Sequence, residues 1–192
     1  SAPRWLYILL WNVELTTSGA NRKYVTIDNI PEDLQKAFVA IEDSRFYQHN
    51  GIDIKGIIRA GMVGIMNGGH FTEGASTITQ QLIKNNVFPD FVNETKYEKI
   101  ERKLQEQYLA IQIEKMLDKD SILESYMNTI NLGQNTLGVQ AAANRYFRKD
   151  VSELTLSECA TIAGITQSPG RYNPITNPEE NAKRRDKVLN NM

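Results

Sequence analysis

The sequence predicts a mainly α-helical fold preceded by a short extended segment. Apolar residues return at three- and four-residue spacing through most of the chain beyond residue 27, as they do on helices that bury one stripe. Helix-start signals stand between those stretches: Asp53 before Ile54, Thr77 with Gln80, Thr155 with Glu158, and Pro178 after Asn177. The connections between them are short. Composition agrees with one globular domain spanning 1–192: 41% of residues are hydrophobic and 23% charged, enough for a real core. The net charge of −1 provides no global field toward nucleic acid, so that partner class is not expected and any basic site must be local. The lone Cys159 rules out an internal disulfide and reads as a core residue. The apolar run Trp5 to Trp11 is far shorter than the ~20 residues a spanning helix needs.

Residues 1–27 read as extended. Trp5 to Val13 is one candidate strand, residues 16–21 are a turn by composition, and Tyr24 to Ile27 alternates as a second strand. Pro31, Glu32 and Asp33 suit the start of a helix on which Leu34, Phe38 and Ile41 recur. Its far end meets Glu42-Asp43-Ser44-Arg45-Phe46-Tyr47-Gln48-His49-Asn50-Gly51, where polarity changes abruptly. The negative end of the helix dipole disfavours a carboxylate's charge there, which suits Glu42 to proton transfer. A fraying, solvated helix end is the plain alternative.

Asp53 caps a helix over 54–66 that is interrupted by Gly56, Gly61 and Gly64, each costing ~1 kcal/mol of helix stability. This stretch is either a soft lid facing lipid or a helix packed closely through its glycines. A flexible loop, 67–74, leads to a Thr77–Gln80 capping box and a helix through Asn86. Free amides at that helix start suit an anion. Ser76, Gln80 and Lys84 follow one another at intervals of four, a row suited to a phosphate-bearing ligand. An ordinary amphipathic helix has the same pattern.

The long helix expected over 95–117 carries Tyr97, Ile100, Leu104, Tyr108 and Ile111 as its apolar stripe. Arg102 and Lys103 lie four and three residues before Glu106, so both cations can reach one carboxylate. Asp118-Lys119-Asp120 is read as a break before a helix over 121–128. Further helices are expected over 139–147, 156–165 and 179–190. The last carries Lys183, Arg184, Arg185 and Lys187, a basic run that suits either a solvated face or a cleft wall.

Five ordered blocks resemble one known family. They are Glu42-Asp43-x-x-Phe46-x-x-His49-x-Gly51; Gly74-x-Ser76-Thr77-Ile78-Thr79-Gln80-Gln81-Leu82-x-Lys84-Asn85; Arg102-Lys103-x-x-Glu106 with Ala110 and Glu114; Lys119-x-x-Ile122-Leu123-Glu124-x-Tyr126-x-Asn128; and Ala142-Ala143-x-x-Tyr146-Phe147-x-Lys149. Together they are similar to the peptidoglycan glycosyltransferase domain of glycosyltransferase family 51, found in class A penicillin-binding proteins and monofunctional wall polymerases. Arg148 departs from the family in standing where Gly is common, and Asn131 stands where an aromatic is common.

The resemblance implies a lysozyme-like helical lobe, with residues 50–75 as a smaller, mobile jaw near the membrane. It implies polymerisation of lipid II into β-1,4-linked glycan, with inversion and release of undecaprenyl pyrophosphate. Glu42 matches the general base and Glu106 the second carboxylate. Glu106 either orients cations or holds a divalent ion on the pyrophosphate; the sequence leaves both open. Lys84, Arg102 and Lys103 match the pyrophosphate-facing cations. Ser76, Thr79 and Gln80 match hydrogen-bond donors, and Asp43, Phe46, His49 and Asn128 are further substrate-side matches. No cofactor is required, save that divalent cation (Mg2+ or Mn2+) if present. The implied partners are lipid II, the growing glycan chain and a transpeptidase domain or other wall-synthesis protein. The implied location is the outer face of the bacterial cytoplasmic membrane, normally with an N-terminal anchoring helix. A lysozyme-like glycan hydrolase and a non-catalytic lipid II-binding module are the alternatives. A hydrolase of neutral bonds has no use for three cations near Glu106, and a binding module has none for two carboxylates.

Overall fold

The computed structural model describes residues 23–68, 74–88 and 94–192, and its helices begin where the capping residues stand. Eight α-helices occur among the described residues: α1 Glu32–Glu42, α2 Ile54–Met66, α3 Ile78–Val87, α4 Lys96–Glu114, α5 Lys119–Thr129, α6 Val139–Phe147, α7 Leu156–Ile165 and α8 Pro178–Asn191. The side chain of Asp53 accepts from the Gly56 amide at the start of α2. Thr77, Thr95 and Thr155 each close a reciprocal capping box, opening α3, α4 and α7. Asp118 caps α5, so Lys119 and Asp120 form its first turn rather than a break. The predicted strand Trp5 to Val13, the turn at 16–21 and most of the 67–74 loop lie outside the described residues. Tyr24 to Ile27 forms no strand: Ile27–Asn29 is a 3-10 turn, and Asn128 takes the backbone of Val25 through its side-chain oxygen and amide, at 2.9 and 2.8 Å.

Helix α7 is the centre of the packing. Its residues Cys159 to Ile165 are all buried, as expected of a helix enclosed on every side. Helices α1 and α8 pack on it and on each other, while α3 packs between α4 and α5. Leu34 and Phe38 of α1, Leu82 and Ile83 of α3, and Leu123, Tyr126 and Met127 of α5 fill one continuous core. Burial pushes the Cys159 thiol up to about 12, in keeping with a core role.

Two helices turn their apolar residues outward. On α4, Tyr97, Ile100, Leu104 and Tyr108 are exposed, whereas Arg102, Glu106, Ala110 and Ile113 are buried. The expected stripe therefore has the right period and the wrong side, because the buried face is occupied by an ion-pair cluster packed on α3. On α2 the buried positions are Gly56, Ala60 and Gly64, and Ile54, Ile58, Met62, Ile65 and Met66 face outward.

Candidate active site

Helix α1 ends at Glu42 because Asp43 leaves the helical conformation, with φ −157°. One Glu42 carboxylate oxygen accepts from the Gln81 amide nitrogen of α3 at 2.8 Å. The other accepts from the Thr166 hydroxyl, just past the end of α7. The Gln81 amide is held in turn by the Tyr126 hydroxyl, which donates to its oxygen at 3.1 Å. Burial pushes the Tyr126 phenol well above its usual range, with Glu42 and Asp43 adding to the shift, so it stays protonated as a donor.

Asp43 locks the end of α1 to the start of α3. Its carboxylate accepts from the Ile78 amide at 3.0 Å and pairs with His49 Nε2 at 2.9 and 3.0 Å. The Thr77 amide bonds Gln80 and the Gln80 amide bonds Thr77. The anion predicted for this helix start is thus supplied by the protein itself, through Asp43. The Thr77 hydroxyl donates to the Gly51 carbonyl at 2.8 Å. Gly51 has φ +89°, and a Cβ there would lie 2.6 Å from the Ala110 backbone, so the turn lies directly against α4.

Helix α4 brings a cation cluster to α3. Glu106 is fully buried; one oxygen accepts from Arg102 and the other from Lys103 at 2.7 Å. Lys103 also donates to the Ser76 hydroxyl at 3.1 Å. Arg102 is pinned from its far side by Glu94, which accepts from Nη2 at 2.8 Å and from Nε. Half-burial, with Lys103 next in importance, holds the Lys84 ammonium below the usual lysine range, against an opposing pull from Glu106.

Two cavities meet at Glu42. The smaller, about 220 Å³, is lined by Ser76, Gln80, Lys84, Lys103, Glu106 and Thr166. The larger, about 490 Å³, opens past Asp53, Arg59, Arg184 and Lys187. Glu42, Ser76 and Gln167 border both. The site therefore places one carboxylate between two pockets that each carry cationic side chains, Lys84 and Lys103 on one side and Arg59, Arg184 and Lys187 on the other.

Of the residues singled out from sequence, Glu42, Ser76, Gln80, Lys84, Lys103 and Glu106 come together around the smaller cavity. Five others line neither cavity. Phe46 is fully buried beneath the Lys119 ammonium, 4.4 Å from its ring. Thr79, also fully buried, donates to Glu114 at 2.5 Å. His49 is spent on Asp43, Asn128 on Val25, and Arg102 on Glu94 and Glu106. Asp43 reaches the wall of the larger cavity, but its carboxylate is occupied. These side chains hold the walls in place rather than facing the open space.

Sequence reasoning did not single out Gln81, Thr166 or Gln167 as site residues. Gln81 stood inside a recognised block; nothing local marked Thr166, which is 124 residues from Glu42. Arg184 was visible only as part of a basic run, from which Lys183 and Arg185 pair with surface carboxylates.

A divalent cation does not fit the donors of the protein here. Both Glu106 oxygens are taken by cations, Lys84 and Lys103 line the same pocket, and no described cluster of three metal-ligating side chains exists.

The transglycosylase family model matches residues 12–192. Penicillin-binding protein 1A of Clostridium perfringens strain 13 is 49% identical over 172 residues, covering 88% of this chain and 24% of that protein. Penicillin-binding protein 1A of Escherichia coli K12 is 48% identical over 168 residues, covering 88% of this chain and 19% of the relative. Penicillin-binding protein 1F of Bacillus subtilis strain 168 is 44% identical over 172 residues, at 90% and 23%. The chain thus spans about a fifth to a quarter of these relatives' length. The crystal structure of penicillin-binding protein 1A from Haemophilus influenzae is similar with TM-score 0.49 and 26% identity, covering 89% of this chain and 15% of that one.

Proposed function

The chain belongs to the transglycosylase family, and on that footing we propose that it polymerises lipid II into β-1,4-linked glycan at the outer face of the bacterial cytoplasmic membrane. The observation that carries this reading is the position of Glu42, an oriented carboxylate at the junction of two cavities that each carry lysine or arginine side chains. A transfer between two pyrophosphate-linked sugars needs a base between two anion-binding pockets. Hydrolysis of a neutral glycan needs only one carboxylate pair and no such pockets.

In the proposed reaction the 4-hydroxyl of the acceptor sugar attacks the anomeric carbon of the donor. The new O–C bond forms as the bond from that carbon to the pyrophosphate oxygen breaks. The hydroxyl proton passes to Glu42, and the bonding pair leaves with the pyrophosphate. Attack from the side opposite the leaving group inverts the α-linked donor to a β product. Lys84 and Lys103 receive the charge that develops on the leaving pyrophosphate, and Ser76 and Gln80 border the same space. Arg102 acts behind them, and Glu106 aims the cations: its oxygens accept from Arg102 and Lys103 together. A metal ion, where one is present, would belong to the pyrophosphate.

Residues 50–75 are the proposed jaw. The outward Ile54, Ile58, Met62, Ile65 and Met66 of α2 support its placement against lipid, where burying them is favourable. A transpeptidase domain, or another wall-synthesis protein, is the proposed partner.

Lipid II polymerisation in detergent micelles tests the reading, with the chain and its Glu42→Gln variant compared. Glutamine keeps the shape and removes the base, so turnover drops by ~10²–10⁴ while lipid II is still bound. Normal polymerisation by the variant would remove Glu42 from the mechanism. Release of reducing ends from finished glycan by the unaltered chain, with no use of lipid II, would favour the hydrolase.

A further inference from the structure

We propose that Thr166 is a positioning residue that keeps Glu42 hydrogen-bonded both before and after it takes the acceptor's proton. The proposal rests on Glu42 being the base. It starts from one hydroxyl that faces two acceptors. Thr166 Oγ1 lies against a Glu42 carboxylate oxygen and, at 2.9 Å, against the Ala163 carbonyl one turn earlier in α7. A threonine hydroxyl has a single hydrogen and two lone pairs, so it serves one acceptor at a time.

The two Glu42 oxygens are therefore not equivalent. Gln81 holds one of them with an N–H that cannot reverse, because the Tyr126 hydroxyl occupies the Gln81 oxygen. That oxygen is always offered a donor. The oxygen beside Thr166 meets a group that donates or accepts. While Glu42 is ionised, the Thr166 hydrogen points at the carboxylate. When the acceptor's O–H bond breaks and its proton forms an O–H bond on this Glu42 oxygen, the Thr166 hydrogen swings to the Ala163 carbonyl. The Thr166 oxygen then accepts from the new carboxyl hydrogen. No proton leaves Thr166 and no bond to it breaks, so the step is a rotation with proton count conserved. Both states keep the half-buried Glu42 oxygen paired with Thr166.

Other charges also face Glu42. Lys84, Lys103 and Glu106 border the smaller cavity with it, and Asp53, Arg59, Arg184 and Lys187 the larger. Asp43, paired with His49, adjoins it in sequence, and Tyr126 stands behind Gln81. None of these is altered by a neutral change at Thr166, so a shift seen in a threonine-to-valine pair reports the hydroxyl.

The test is the acid limb of the rate–pH profile for lipid II polymerisation, measured for the chain and for Thr166→Val, Thr166→Ser and Thr166→Ala, with melting temperatures alongside. Valine keeps the shape and removes both bonds; the one to the ionised carboxylate is charge-assisted and about twice as strong as the one from the protonated acid, so the acid limb moves to higher pH by about one unit, a tenfold loss of rate below the limb. Serine restores the original limb. Should valine leave no measurable turnover, the limb is read on Thr166→Ala, where water can enter and the shift is smaller in the same direction. An unmoved limb in both Val and Ala overturns the proposal, as does a serine variant that behaves like valine. Glu42→Gln in the same assay separates the two claims. If that variant is inactive while the Thr166 limbs do not move, only the positioning role fails; if it is active, the base assignment fails and Thr166 with it.

Discussion

Replacing Glu106 by glutamine tests the electrostatic design of the smaller cavity directly. Glu106 is fully buried, and each of its oxygens accepts from a different cation. A glutamine fits the space, but its amide can accept from only one of the two and presents N–H groups to the other. Arg102 keeps its double contact with Glu94. Lys103 keeps only the Ser76 hydroxyl, and its side chain is 37% exposed, so it can turn to water. The floor of the cost is one lost charge-assisted hydrogen bond, ~1.5 kcal/mol. The ceiling is the ~5 kcal/mol of a fully buried pair broken on one side. The retained Glu94 contact and the partly exposed lysine put the expected value at about 2–3 kcal/mol, or a melting point about 5–10 °C lower for a domain of this size. Lys103 should then swing away from the pyrophosphate, raising KM for lipid II and lowering kcat/KM by about tenfold or more. Thermal unfolding and lipid II kinetics on Glu106→Gln, Lys103→Met and the double variant supply the assay. A coupling energy near zero between the two positions would refute the argument, since contacting residues in one network should not add. So would a Glu106→Gln variant of unchanged melting point and abolished turnover, which would make Glu106 a reacting group.

Three further outcomes follow from other parts of the structure. Arg148 is exposed at the end of α6 in the left-handed conformation, φ +56°, which costs an L-residue ~1–2 kcal/mol; Arg148→Gly should raise stability by about 1 kcal/mol, read by chemical denaturation. Gly51→Ala would set a Cβ 2.6 Å from the Ala110 backbone at a positive φ, so a loss of about 3 kcal/mol or more and reduced polymerisation are expected, and near-native stability would show that this turn can move off α4. The Lys84 ammonium, held low by burial and by Lys103, sheds its proton at lower pH than a free lysine as pH rises. The kcat/KM profile should therefore lose activity on the alkaline side below the ordinary lysine value of ~10.4, and Lys84→Met should lower kcat/KM throughout while removing that limb.

Local chemistry was legible wherever its partners are close in sequence. The capping boxes at Thr77 and Thr155 and the Asp53 cap, which open α3, α7 and α2, follow from residues three apart. So does the convergence of Arg102 and Lys103 on Glu106, because helical geometry alone brings such neighbours together. The long helix α4 shows where that reasoning stops. Its 3.6-residue period is plain, but period does not say which side is inside, and Tyr97, Ile100, Leu104 and Tyr108 face outward. A charged cluster takes the inner face because its charges neutralise one another there.

By itself, then, the sequence determined that this chain is mainly helical, where most helices start, and that Glu42 ends one of them beside a set of blocks shared with the transglycosylase family. Only the tertiary structure decided what surrounds that carboxylate. Gln81 and Thr166 reach Glu42 from 39 and 124 residues away. Asp43 spends its charge on the first amide of α3. Arg184 and Lys187 of the last helix form part of the second cavity's wall. Contacts at such separations depend on how α1, α3, α7 and α8 pack on a common core, and no periodicity within a single helix encodes that packing.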